Sequence, residues 1–114
     1  MNQNKATIFL LILILFFTIS ISAQDLSDGV YKGTGEGMHG EMVIQIEIET
    51  GEITELEVLE HSETPTIAET AIEKVKEKIL ENQNWDVDTV AGATYTSDGI
   101  KEGVKEALAK ATSN

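Results

Sequence analysis

The chain has 114 residues, no cysteine, and 20 acidic against 8 basic side chains, for a formal charge of −12. Without cysteine it can form no disulfide, no CxxCH-type haem attachment and no cysteine-ligated metal or iron-sulfur centre, so any redox chemistry requires another cofactor. The acidic balance disfavours nucleic acid and anionic lipid as partners, and its simplest consequence is solubility.

The opening "MNQNKATIFLLILILFFTISISAQ" carries one charge, Lys5, followed by an apolar run over residues 8–17 and small or polar residues up to Ala23. That order predicts a secretory signal peptide over residues 1–23, cleaved after Ala23, and hence a periplasmic or secreted protein. The apolar run is ten residues long, whereas a membrane span needs about 20. Residues 6–23 retained as a short anchor are the alternative, and membrane contact is expected only in that case. No cysteine follows the run, which excludes a lipid anchor on that residue. Residues 24–114 remain as one small domain with a modest core. Lys5 leaves with the leader, so this domain has 7 basic against 20 acidic side chains, a charge of −13.

After a polar start, residues 30–35 are predicted as a strand. Gly35, Gly37 and Gly40 then spell GxGxxG, the dinucleotide-binding spacing, which requires a following helix whose N-terminus holds the pyrophosphate. Here a two-residue alternation follows instead, so the glycines are assigned to a hairpin turn between residues 33 and 41. Met42, Ile44, Ile46 and Ile48 alternate with Val43, Gln45, Glu47 and Glu49, the period of a strand with one wet face. Thr50 and Gly51 make a tight reversal into a further strand marked by Leu56 and Val58.

The period then changes. Ala68, Ala71, Ile72, Val75 and Ile79 share one helical face. Thr66 with Glu69 forms a capping box after Pro65, and the helix ends near residues 82–84. "WDVDTV" at 85–90 is a short strand candidate whose Trp85 has core packing as its default role. Ile100, Val104, Ala107, Leu108 and Ala111 mark a second amphipathic helix, with Ser97 as its N-cap and Asp98 in the first turn. The fold class is therefore α+β, a small antiparallel sheet packed with two helices. His39 and His61 stand 22 residues apart without ligand-like spacing and read as surface residues. No set of nucleophile, base and orienting group for hydrolysis appears.

Between the strand candidate and the last helix lies "DTVAGATYTSDGI", residues 88–100. A helix N-terminus presents unpaired N–H groups and partial positive charge, so a phosphate at this turn is stabilised without any basic side chain. Gly92 and Ala93 let a bulky ligand approach the backbone.

This segment resembles the flavin-attachment segment of FMN-binding domains, found in subunits of sodium-pumping and related Rnf-type electron-transport complexes and in secreted single-domain flavoproteins. "DGVYKGTGEG" at 28–37, "IQIEIETGEITELEVLEHSETP" at 44–65, the helix at 66–81 and "GIKEGVKEAL" at 99–108 resemble the family in the same order. The resemblance implies FMN esterified through its phosphate to Thr94 by a separate flavin transferase that uses FAD as donor. It implies Asp88 as a recognition residue and Gly92 and Ala93 as shapers of the turn. Tyr95 belongs to the same cofactor-binding segment, and Thr96 and Ser97 would hydrogen-bond the phosphate or cap the helix. Glu63, Thr64 and Pro65 match a family loop whose residues lie near the flavin. Two departures stand out: Ala91 where relatives commonly carry Ser or Thr, and Thr66 where many carry Gly.

The function the resemblance implies is an extracytoplasmic electron carrier without a substrate site of its own and with redox partners the sequence does not name. A covalent bond keeps the cofactor after export, when occupancy by contact alone would fall with dilution. Surrounding carboxylates are expected to lower the flavin's potential. The alternative is a small secreted binding or inhibitory module of this fold without flavin.

Overall fold

The computed structural model describes residues 26–112; the expected leader, its cleavage point and the anchor alternative lie outside them. No helix among the described residues is long and apolar enough to cross a membrane.

Three strands, β1 (Gly29–Gly37), β2 (Gly40–Glu49) and β3 (Glu52–Glu60), form an antiparallel sheet in the order β1-β2-β3. Two helices, α1 (Pro65–Asn82) and α2 (Thr94–Thr112), cover one face of it. This is the expected α+β arrangement. Met42, Ile44, Ile46 and Ile48 are all at most 1% exposed, so the alternation along β2 reports the buried face directly. Each such side chain contributes roughly 1.5–3 kcal/mol by leaving water. Val75 and Ile79 of α1 and Ile100 and Val104 of α2 close over them.

The turn between β2 and β3 consists of Thr50 and Gly51, at φ 53° and 75°. Positive φ at both positions is the geometry of a two-residue hairpin whose twist matches its strands. At the far end of α1, Gln83 takes a left-handed conformation and its N–H caps the Ile79 carbonyl. Its side-chain amide bonds both the N–H and the carbonyl of Ile53, tying the helix end to the start of β3.

Four expectations are corrected. First, β1 runs on to Gly37 and the hairpin loop is just Met38 and His39, so Gly35 and Gly37 lie with Gly33 inside the strand and not in a turn. A Cβ on Gly33 would stand 2.0 Å from the Gly103 carbonyl oxygen, and one on Gly35 would stand 1.9 Å from that of Gly99. The glycines let the backbone of α2 lie directly on β1.

Second, residues 85–90 form no strand. Val87 and Val90 are buried, which accounts for the apolar pattern, but side chains take over the work of a ladder. The Asp86 N–H donates to Asn84 Oδ1, and the Val90 N–H donates to Ser97 Oγ.

Third, α1 starts at Pro65 with Thr64 as N-cap, so Thr66 is already helical and cannot form the expected capping box. Proline fits the first helical position because its missing N–H would have no intrahelical acceptor there. Fourth, α2 starts at Thr94 and Ser97 lies within its first turn. The Ala93 carbonyl already accepts the Ser97 N–H at 2.9 Å, which makes Ala93 the capping position.

Candidate functional site

The site is built around the turn that launches α2. The Val90 carbonyl accepts the Ala93 N–H at 2.9 Å, and Gly92 between them sits at φ 83°. That is the position of a type II turn that demands positive φ, which explains the glycine. Nothing lies within 4 Å of where a Gly92 Cβ would be, so backbone conformation and not space selects it. Ser97 secures the turn from beneath: its hydroxyl donates to the Ala93 carbonyl at 2.7 Å and accepts the Val90 N–H at 3.1 Å. Ala91 is exposed at the turn, so a methyl in place of a hydroxyl there disturbs no internal contact.

The three aliphatic hydroxyls that follow are thereby sorted. Ser97 is fully buried and engaged as described. Thr96, 4% exposed, donates to Glu63 Oε1 at 2.6 Å. Thr94 is exposed, and its hydroxyl meets no protein partner among the described residues. Of the three, Thr94 alone offers its oxygen to solvent.

Thr94 stands on the rim of a cavity of about 260 Å³. One wall is the β1–β2 loop, Met38 and His39; another is the start of α1, Thr64 and Ile67; the third is residues 92–96. A smaller cavity of about 200 Å³ lies against the other side of the turn, lined by Thr66, Thr70 and Ala91 among others. Both helices thus begin at this place, and neither start is closed by a side chain. Thr64 makes no side-chain capping bond, and Ala93 has no side-chain oxygen to offer. Because the first ladder bond of α2 comes from Ser97, the N–H groups of Thr94, Tyr95 and Thr96 precede it and are the donors such a helix start leaves open.

Apolar exposure is concentrated at the same place. Of the five large hydrophobic side chains that stand exposed among the described residues, Met38, Ile67 and Tyr95 all line this cavity. Tyr95 is 65% exposed and Met38 66%.

The expected site residues separate into groups. Gly92, Ala93, Thr94, Tyr95, Thr96 and Thr64 meet at the cavity. Glu63 lies behind it, 5% exposed, with its carboxylate given to protein donors. Ser97 lies beneath the turn. Asp88 is exposed on the connection before the turn and does not line the cavity; its carbonyl accepts from Lys78 at 3.5 Å. Met38 and Ile67 were not singled out by sequence, and His39 was read as a surface residue, which it is. A signal existed for Ile67, an apolar residue off the buried stripe of α1.

Burial pushes the Glu63 carboxyl up. The Thr96 hydroxyl, the His39 and Met38 N–H groups and the nearby His39 side chain outweigh that effect and hold it below the usual carboxylate range.

A family model for the FMN-binding domain matches residues 37–109. An uncharacterised protein of Treponema pallidum (strain Nichols) is 34% identical over 87 residues, 76% of this chain and 24% of that protein. NADH:acrylate oxidoreductase of Vibrio harveyi is 28% identical over 88 residues, 77% of this chain and 9% of the relative. NADH:fumarate oxidoreductase of Klebsiella pneumoniae (strain 342) is 26% identical over 94 residues, 82% and 10% respectively. This chain belongs to the FMN-binding domain family. It spans between about a tenth and a quarter of the length of these relatives.

The residues present fit FMN. Open helix N–H groups beside Thr94 suit a phosphate, and the apolar trio of Met38, Ile67 and Tyr95 suits a planar aromatic ring. Among the described residues no lysine or arginine lines the cavity, so helix starts and not a lysine or arginine must balance the phosphate charge.

Proposed function

We propose that this chain is an extracytoplasmic electron carrier whose FMN is joined by a phosphoester to Thr94. The observation that carries the reading is the sorting of hydroxyls at the start of α2. Thr96 and Ser97 are committed to Glu63 and Ala93, and Thr94 is exposed beside an apolar cavity.

The attaching enzyme is a flavin transferase with FAD as donor. In that reaction the Thr94 oxygen bonds to the phosphorus of the FMN half, and the bond from that phosphorus to the bridging oxygen breaks. AMP leaves, and the hydroxyl proton passes to a base on the transferase. Asp88, exposed upstream of the turn, is available for recognition by that enzyme. Thr94 precedes the first ladder bond of α2, so it can be presented without unfolding the helix.

Cavity size supports covalent attachment. About 260 Å³ falls below the roughly 300–1,000 Å³ of sites that enclose a small ligand. A site this shallow shields part of the cofactor and leaves an edge accessible, as exchange of electrons with another protein requires. When bound, the flavin supplies one- and two-electron redox chemistry. The chain's own residues would orient it: Met38, Ile67 and Tyr95 would hold the ring and the start of α2 the phosphate. Segments similar to this chain occur in NADH:acrylate and NADH:fumarate oxidoreductases and in urocanate reductase of Eggerthella lenta. By that likeness the chain serves as a small flavin relay to a separate acceptor. The signal peptide expected over residues 1–23 carries it out of the cytoplasm.

Denaturing electrophoresis tests the proposal. Expressed with its leader beside a flavin transferase, the protein should give a band with flavin fluorescence, and Thr94→Ala should give none. A fluorescent Thr94→Ala band would move the attachment elsewhere, and a dark wild-type band would favour a flavin-free binding module.

A further inference from the structure

Glu63 is nearly fully buried and yet does not line the cavity. Its Oε1 accepts the Met38 N–H at 2.7 Å and the Thr96 hydroxyl at 2.6 Å, while Oε2 accepts the His39 N–H at 2.7 Å. Its own N–H donates to His61 Nδ1 at 3.1 Å. Met38 and His39 form one cavity wall and Thr96 belongs to another, and Thr64, the next residue in the chain, stands on the third. One side chain therefore grips two walls from behind and is covalently joined to the third.

We propose that Glu63 is a positioning residue for the flavin: its ionised carboxylate fixes the spacing of the three walls between which the ring lies, without touching the cofactor. The inference rests on the reading of this cavity as the FMN site. Charge is essential to the device. An ionised carboxylate is a pure acceptor and satisfies three donors at once. A protonated carboxyl or an amide must turn hydrogen toward one of them, and two of the three are backbone N–H groups that cannot reverse. Among the described residues no other hydrogen bond ties the loop of Met38 and His39 to the helical layer, so losing the grip loosens that wall.

The groups facing the carboxylate come from four directions. The β1–β2 loop brings His39, whose charge favours ionisation. Its own segment brings His61, which binds the Glu63 N–H. From α2 comes the uncharged Thr96 hydroxyl, and β1 presents the Gly37 backbone, where a Cβ would stand 2.6 Å from Oε1.

The test uses the full chain loaded with FMN, with Glu63→Gln and Thr96→Val as variants. Intact mass measures loading, far-UV circular dichroism measures folding, and time-resolved flavin fluorescence anisotropy measures ring mobility. In wild type near neutral pH the ring should tumble with the domain. Glu63→Gln should add a fast anisotropy component at the same pH, and Thr96→Val a smaller one. Acidifying wild type through and below the ordinary carboxylate range, to well under about pH 4, should produce that component while the fold persists, and Glu63→Gln should show no such pH dependence. A role limited to stability would lower the melting temperature without altering anisotropy in the folded fraction. Loaded, folded Glu63→Gln with wild-type anisotropy would overturn the proposal. If that variant does not fold, wild-type anisotropy in folded Thr96→Val does the same. Wild type lacking the flavin mass overturns the underlying reading instead, and the mass distinguishes the two failures.

Discussion

Replacing Gly35 by alanine probes the contact that sets α2, and Thr94 with it, against the sheet. A Cβ at this position lies 1.9 Å from the Gly99 carbonyl oxygen and 2.7 Å from its carbonyl carbon. Real Cβ atoms essentially never approach closer than 3.0 Å, so the helix must retreat by more than 1 Å. Both partners are backbone, and no rotamer change relieves the clash. Retreat also loosens the neighbouring contact of Gly33 with Gly103 and the packing of Gly103 on Ile44. Overpacking costs typically 1–3 kcal/mol, and a backbone clash belongs at or above the top of that range, about 3 kcal/mol. For a domain of this size that lowers the melting temperature by about 12–24 °C. Urea unfolding followed by Trp85 emission, with Lys105 lying 4.7 Å from the ring centroid, provides the readout. Gly51→Ala is the control, because nothing lies within 4 Å of its Cβ and only its φ of 75° is unfavourable. That strain costs about 1 kcal/mol. Equal losses in the two variants, within about 0.5 kcal/mol, would refute the close-approach argument.

Other expectations follow from the same geometry. Glu63→Gln should destabilise the flavin-free domain by about 2 kcal/mol, since an amide hydrogen must face a backbone donor; a change below about 0.5 kcal/mol in chemical denaturation would contradict the bonding described. Because the folded Glu63 carboxyl titrates lower than the unfolded one, its contribution is complete above the ordinary carboxylate range and is lost as pH falls through the folded value. Wild type and Glu63→Gln should therefore converge in stability on acidification, and a gap that widens toward low pH would reverse the sign. Thr50→Asn should raise stability by about 0.5–1 kcal/mol, because a β-branched residue at φ 53° is strained and asparagine tolerates that region; thermal melts of the two proteins decide. Thr94→Ser should retain flavin attachment and Thr94→Ala should lose it, as judged by flavin fluorescence after denaturation.

What could be read from the sequence depended on whether local pattern or distant packing set the outcome. The alternation of Met42 to Ile48 and the helical stripes of Val75, Ile79, Ile100 and Val104 identified the core faces, because burial imposes those periods directly. Thr50-Gly51 announced its hairpin for an equally local reason. Gly33 was read as strand, but Gly35 and Gly37 were assigned to a turn, since nothing near them in the chain reveals that α2 lies against them. Residues 85–90 have the pattern of a strand, yet Ser97 and Asn84 side chains satisfy their backbone where a ladder was expected. The two helix starts were displaced for a related reason: Thr64 and Ala93 hold the capping positions without a side-chain bond, so the familiar capping signals at Thr66 and Ser97 misled. The segment around Thr94 was legible as a motif. Its sorting of hydroxyls was not, because the partner of Thr96 is Glu63, 33 residues earlier. Met38 and Ile67 became visible as site residues only when the fold placed their exposed side chains on one cavity.

Intact mass spectrometry on protein exported from a host with a working flavin transferase addresses the central claim most directly. The expected mass is that of residues 24–114 plus one FMN less one water, unchanged by denaturation and absent from Thr94→Ala. Exported wild-type protein without that added mass, or a Thr94→Ala variant that carries it, would contradict the account.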